Sequence, residues 1–153
     1  MKTSQKGIDL ITRFEGVILH SYLCPKGVLT IGVGHTGSDV TKDMVITEKE
    51  AENLLKKDLK NFESKLNYSL EHDNLTLNQN QFDACISFIF NLGYSAFIFS
   101  TLYKKLKAGD YEGASDEFLK WVYITKTVNG ERVKLRLKGL ETRRNAERDL
   151  FLS

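Results

Sequence analysis

The chain has 153 residues, 41% hydrophobic and 27% charged, which suits one soluble domain able to bury a core without disulfide or metal staples. A formal charge of +2 and a pI of about 8.5 make it only mildly basic, and neither the basic excess nor the named motif of a nucleic-acid module is present. Cys24 and Cys85 are too few for a disulfide framework and match no zinc spacing, while the charges between Met1 and Phe14 leave no apolar run for a signal peptide or membrane span.

In chain order, Thr3 to Phe14 predicts a short helix, with Ile8, Leu10, Ile11 and Phe14 on neighbouring turns and Gly16 as its stop. Glu15 then sits at the carbonyl end of that helix, where the macrodipole disfavours negative charge, a setting that suits a proton donor. Pro25-Lys26-Gly27 predicts a turn between strands Ser21–Cys24 and Val28–Val33. Alternation places Leu29, Ile31 and Val33 on one face and Thr30, Gly32 and Gly34 on the other. The glycine face has room for a ligand against the backbone, or equally for a bend in the strand.

Thr47 to Glu50 is a capping box opening a long helix with the apolar stripe Ala51, Leu55, Leu59, Phe62 and Leu66. The polar stretch Asn67 to Leu77 is the expected boundary between a small lobe, residues 1–70, and a helical lobe, residues 71–153. Asn78 to Gln81 is a second capping box. It starts a helix so apolar that it belongs at the centre of the second lobe, ending at Gly93. Helices are expected over Phe97–Lys107 and Tyr111–Trp121, then a hairpin around Asn129-Gly130, then a closing helix from Gly139 to Leu152. The fold class is α+β. The cations from Arg132 to Arg148 form a patch suited to an anionic polymer, or a solvated, salt-bridged surface.

Glu15, Cys24 and Thr30 lie on adjacent short elements that can converge. Glycoside hydrolysis needs a protonated carboxylic acid and a group that activates water or stabilises the developing cation. A thiol and a hydroxyl are poor bases at neutral pH, so Cys24 acts as a base only if a neighbour such as Lys26, His20 or His35 lowers its pKa.

Glu15, eight residues, Cys24, five residues and Thr30 resemble the catalytic triad of the phage lysozymes, or endolysins, of glycoside hydrolase family 24. The flanking motifs agree: Arg13-Phe14-Glu15-Gly16, Thr30 through Gly37, Gln81 through Ala84, Asn91-Leu92-Gly93, Ala108 through Tyr111, Trp121, Gly139-Leu140, Arg143-Arg144 and Glu147. The resemblance covers nearly the whole chain. It implies a lysozyme-like fold, with a small lobe holding the N-terminal helix and a short antiparallel sheet, and a cleft against the helical lobe. It also implies hydrolysis of the β-1,4 bond between N-acetylmuramic acid and N-acetylglucosamine in peptidoglycan, with no cofactor and no metal.

In that picture Glu15 protonates the leaving oxygen, while Cys24 and Thr30 activate or position the water. Many family members carry Asp where this chain has Cys24. Gly32, Gly34, His35, Arg143 and Arg144 are the expected substrate-binding residues. His35 alternatively braces its loop, and the arginines alternatively pair with Glu15 or with the surface. The expected partner is the glycan strand, with no nucleic acid and no stable membrane insertion. The expected molecule is a monomer held in the host cytoplasm until a separate pore-forming protein releases it to the wall. Two other readings are a lytic transglycosylase acting on the same bond and a non-catalytic binder of wall polymer or another polyanion.

Overall fold

The computed structural model describes residues 1–153. Helix α1, Gln5–Glu15, is followed by strands β1 (Ile18–Leu23), β2 (Leu29–Gly32) and β3 (His35–Thr36), which form one antiparallel sheet in that order. Helices α2 (Glu48–His72), α3 (Gln79–Leu92), α4 (Tyr94–Ile98), α5 (Thr101–Lys107) and α6 (Tyr111–Glu117) follow, then a 3-10 turn over Phe118–Lys120. Strands β4 (Tyr123–Val128) and β5 (Glu131–Arg136) make a separate hairpin before helix α7, Lys138–Leu152. The fold is α+β, as expected.

Two apolar clusters organise these elements. The smaller, under the sheet, is Ile31, Val40, Ile46 and Ala51. The larger runs through α1 to α7, with Phe82, Phe88, Phe97 and Phe118 fully buried. Helix α2 serves both, giving Ala51 to the first and Leu55, Leu59, Leu66 and Leu70 to the second. Both predicted capping boxes form: the Thr47 side chain accepts from Glu50 N–H, and the Asn78 side chain from Gln81 N–H. Each fills an orphan donor of the first turn.

Helix α1 is fixed differently. Its N-cap Ser4 makes no side-chain cap; Asp83 on α3 accepts from both the Ser4 N–H and its hydroxyl. Gly7 permits this approach, since a Cβ there would lie 2.9 Å from Asp83 Cγ. This docking on α3 decides where the far end of α1, with Glu15, comes to rest.

Several boundaries differ from expectation. Asn67 to Leu77 is not a linker throughout, because α2 continues to His72 and only Asp73 to Asn78 leaves the helix. Buried Ser69 and Leu70 reward that extra turn. The helix expected over Phe97–Lys107 is two, broken where the Ser100 side chain caps α5 by accepting from Tyr103 N–H. The strand expected to run through Val33 stops at Gly32 and turns into β3. Positive φ at Gly32 (68°) and Gly34 (67°) makes that reversal possible. The β4–β5 hairpin is as expected, with φ of 51° and 80° at Asn129 and Gly130.

Candidate active site

Glu15 ends α1, and Gly16 closes the helix by donating its N–H to Thr12 O at 2.8 Å. The Glu15 side chain remains 27% exposed, and its Oε1 accepts from Arg143 Nη1 of α7 at 2.5 Å. Helix carbonyls oppose a charge at this position, and the guanidinium favours one.

Arg143 is itself held on its other edges: Nη2 donates to Ser87 O at 3.2 Å and Nε to Glu147 Oε2 at 3.4 Å. Glu147 is fully buried and accepts from Ser87 Oγ at 2.5 Å and from Arg144. Burial pushes the Glu147 carboxyl up and the Arg144 guanidinium down, each against the pull of the other. Arg144 also donates to Asn91 and to Trp121 O, and lies over the Phe88 ring. Four alternating charges thus run from the Glu15 carboxylate into the core, each aimed by the next.

Cys24 and Thr30 belong to the hairpin that starts three residues after Glu15. Tyr22 pairs with Thr30, and Cys24 follows Leu23, whose partner is Leu29. The turn closes through Cys24 N–H to Val28 O at 3.0 Å and Gly27 N–H to Cys24 O at 2.8 Å. Within it the backbone N–H groups of Val28 and then Lys26 point at the sulfur and lower the thiol pKa. Burial works against this, and the Lys26 charge adds a smaller lowering. Of the neighbours expected to activate Cys24, Lys26 therefore contributes, while the backbone of Val28 leads. Thr30 is buried at 4% exposure and its hydroxyl donates to Val28 O at 3.0 Å, leaving its lone pairs as acceptors.

Of the expected substrate contacts, Gly34 alone among the sheet residues stands in open space. Gly32 is turned inward, where a Cβ would touch Ala51 at 3.5 Å, so the predicted open glycine face is absent there. His35 braces its loop. Its Nδ1 bonds Asp58 at 2.8 Å and its Nε2 bonds Asp39 at 2.9 Å, so neither nitrogen is free. Arg144 is fully buried, and Arg143 is 4% exposed with its Nη1 on Glu15. The basic patch from Arg132 to Arg148 divides accordingly: Arg143 and Arg144 turn inward, Arg148 pairs with Asp116 at 2.9 Å, Lys138 opens α7, and Arg132, Lys134 and Arg136 stay on the hairpin.

Sequence reasoning gave no role to Ser87, Asn91, Glu147, Asp39 or Asp58. A hydroxyl inside the apolar run of α3 and the Arg143/Glu147 spacing of four were the available signals. A hollow of about 560 Å³ lies at the opposite end of α1, among Lys2, Ile8, Lys57 and Lys60.

The chain matches known proteins along its length. Residues 12–147 match the family described as phage lysozyme. An endolysin of Acyrthosiphon pisum secondary endosymbiont phage 1 is 46% identical over 153 residues, covering 100% of this chain and 99% of the relative. Among solved structures, the muramidase domain of SpmX from Asticaccaulis excentricus superposes with a TM-score of 0.86 at 34% identity, covering 99% of this chain and 98% of that one. An endolysin from Escherichia coli O157:H7 phage FAHEc1 gives 0.85 at 35% identity, covering 100% and 94%. By the family match, the full-length relative and the shared fold, this chain belongs to the phage lysozyme family.

Proposed function

We propose that Glu15 is the proton donor of this lysozyme, with Cys24 and Thr30 managing the water. Membership of the family makes the chain an endolysin-type enzyme acting on peptidoglycan. The observation that carries the Glu15 assignment is its posture: Arg143 grips Oε1, and the side chain stays part-exposed.

In the proposed step, Oε2 gives its proton to the glycosidic oxygen between N-acetylmuramic acid and N-acetylglucosamine as that bond breaks. Water adds to the anomeric carbon, and its proton passes to the Cys24 thiolate, which the turn amides favour. Thr30 accepts a hydrogen bond from that water through a lone pair, since its own proton is committed to Val28 O. Proton exchange through solvent returns the acid and the base to their starting states. Gly34 lines the approach, and Arg143 positions Glu15 rather than touching sugar.

The network that aims Glu15 is complete within one chain, which supports action as a monomer. No helix is long and apolar enough to cross a membrane. We further propose passage to the wall through a pore made by another protein, on the strength of the endolysin relatives.

The test is clearing of outer-membrane-permeabilised Gram-negative cells by the purified wild type and by Glu15→Gln, with digests of purified peptidoglycan beside them. The expected result is a drop of roughly a hundredfold or more in the variant, the scale of a general acid, with circular dichroism unchanged and reducing muramic acid ends from the wild type. Equal clearing by both would remove Glu15 as the acid. Products ending in 1,6-anhydro rings would replace hydrolysis with transglycosylation.

A further inference from the structure

The β4–β5 hairpin takes no part in this site. It joins the body at its base, where Leu137 N–H bonds Val122 O at 2.9 Å and Arg136 pairs with Glu141 at 3.3 Å. Beyond that its two strands pack on each other, and every residue from Tyr123 to Arg136 except half-buried Val133 is exposed.

The register gives it two unlike faces, because directly paired residues share a face and successive pairs alternate. One face holds Ile124 with Leu135, Lys126 with Val133, and Val128 with Glu131. The other holds Tyr123 with Arg136, Thr125 with Lys134, and Thr127 with Arg132. Ile124, Leu135 and Val128 are 40%, 37% and 43% exposed on the first face. On the second, Lys134 lies over the Tyr123 ring at 4.7 Å from its centroid. The hairpin carries four cations and one carboxylate, although the whole chain has a formal charge of only +2.

We propose that this hairpin is a peripheral docking element for an anionic phospholipid surface. An apolar face backed by long cationic side chains is the arrangement of segments that lie in a bilayer interface. Branched apolar side chains enter the headgroup boundary, and Lys and Arg reach around to the phosphates. An anionic glycan would answer the basic face and leave the Ile124, Val128 and Leu135 face in water. A bilayer uses both. The contact is reversible and interfacial, and the hairpin that makes it joins the body just before α7. It does not depend on the assignment of Glu15.

Co-sedimentation of the full chain with phosphatidylethanolamine/phosphatidylglycerol vesicles, phosphatidylcholine vesicles and purified sacculi tests this. The wild type is expected to bind the anionic vesicles at least about tenfold better than the neutral ones, and less as salt rises. The double variant Ile124→Ser/Leu135→Ser and the triple variant Arg132→Gln/Lys134→Gln/Arg136→Gln should each lose most of that binding. Arg132→Lys/Arg136→Lys should keep it, which separates loss of charge from loss of hairpin structure. Glu15→Gln should bind as the wild type does, so failure of the catalytic assignment would leave this result intact. No binding to anionic vesicles, or undiminished binding by both multiple variants, would overturn the proposal. So would hairpin-dependent binding to sacculi alone, or hairpin-dependent self-association.

Discussion

Cys24 and Cys85 are the same side chain in opposite surroundings. The turn amides of Val28 and Lys26 lower the Cys24 thiol pKa, whereas burial, with the Glu147 charge behind it, pushes Cys85 well up. Only a thiolate is a nucleophile or a base. Iodoacetamide labelling followed by mass spectrometry across pH should therefore modify Cys24 with a midpoint below the ordinary value of about 8.5. Cys85 should stay unmodified until the chain unfolds. If Cys24 acts as the base, Cys24→Ala loses turnover and Cys24→Asp retains it; full turnover in the alanine variant would leave Thr30 to place the water unaided. Equal labelling of both thiols would contradict the turn as the source of the difference.

At the scale of elements, the β2–β3 turn is bolted to α2 through His35. Burial alone would lower the imidazole pKa, but the hydrogen bonds to Asp58 and Asp39 outweigh it and leave the pKa raised. Protonated, the ring donates from both nitrogens, to a carboxylate on α2 and to one four residues along its own loop. A folded-state value above the unfolded one, near 6.5, means the stabilisation is fully present below that pH and is lost as pH rises through the raised value. The melting temperature of the wild type should therefore exceed that of His35→Gln most at pH 5.5 to 6, with the gap narrowing towards pH 9. A gap that does not change with pH would make His35 a packing residue and nothing more.

Across the whole molecule, the buried charge chain joins α1, α3 and α7: Glu15 on the first, Ser87 and Asn91 on the second, Arg143, Arg144 and Glu147 on the third. Removing one partner of a buried pair costs more than the pair contributes, because the other charge stays in the core. Arg144→Met leaves Glu147 with Arg143 and Ser87 alone. The expected loss is about 3–5 kcal/mol, measured as a lower urea midpoint with unchanged slope. Activity should fall with it, since Arg143 is aimed at Glu15 by the same carboxylate. A loss under about 1 kcal/mol would mean the core accommodates the uncompensated charge by relaxation or water entry.

What the sequence determined by itself was local. The capping boxes at Thr47 and Asn78, the helix stop at Gly16 and the Asn129-Gly130 turn are contacts between residues a few positions apart, so their residue types suffice to place them. The spacing of Glu15, Cys24 and Thr30 was legible for the same reason, helped by the flanking family motifs. Tertiary structure decided which of the polar residues turn inward. Arg144, His35 and Gly32 have the composition of surface or cleft residues. Each is instead held in the interior by partners distant in sequence: Asn91 and Trp121 for Arg144, Asp58 for His35 and Ala51 for Gly32. The ion pairs within α7 follow from spacing along one helix, whereas the partners on other elements are brought near only by the fold, and no local pattern names them.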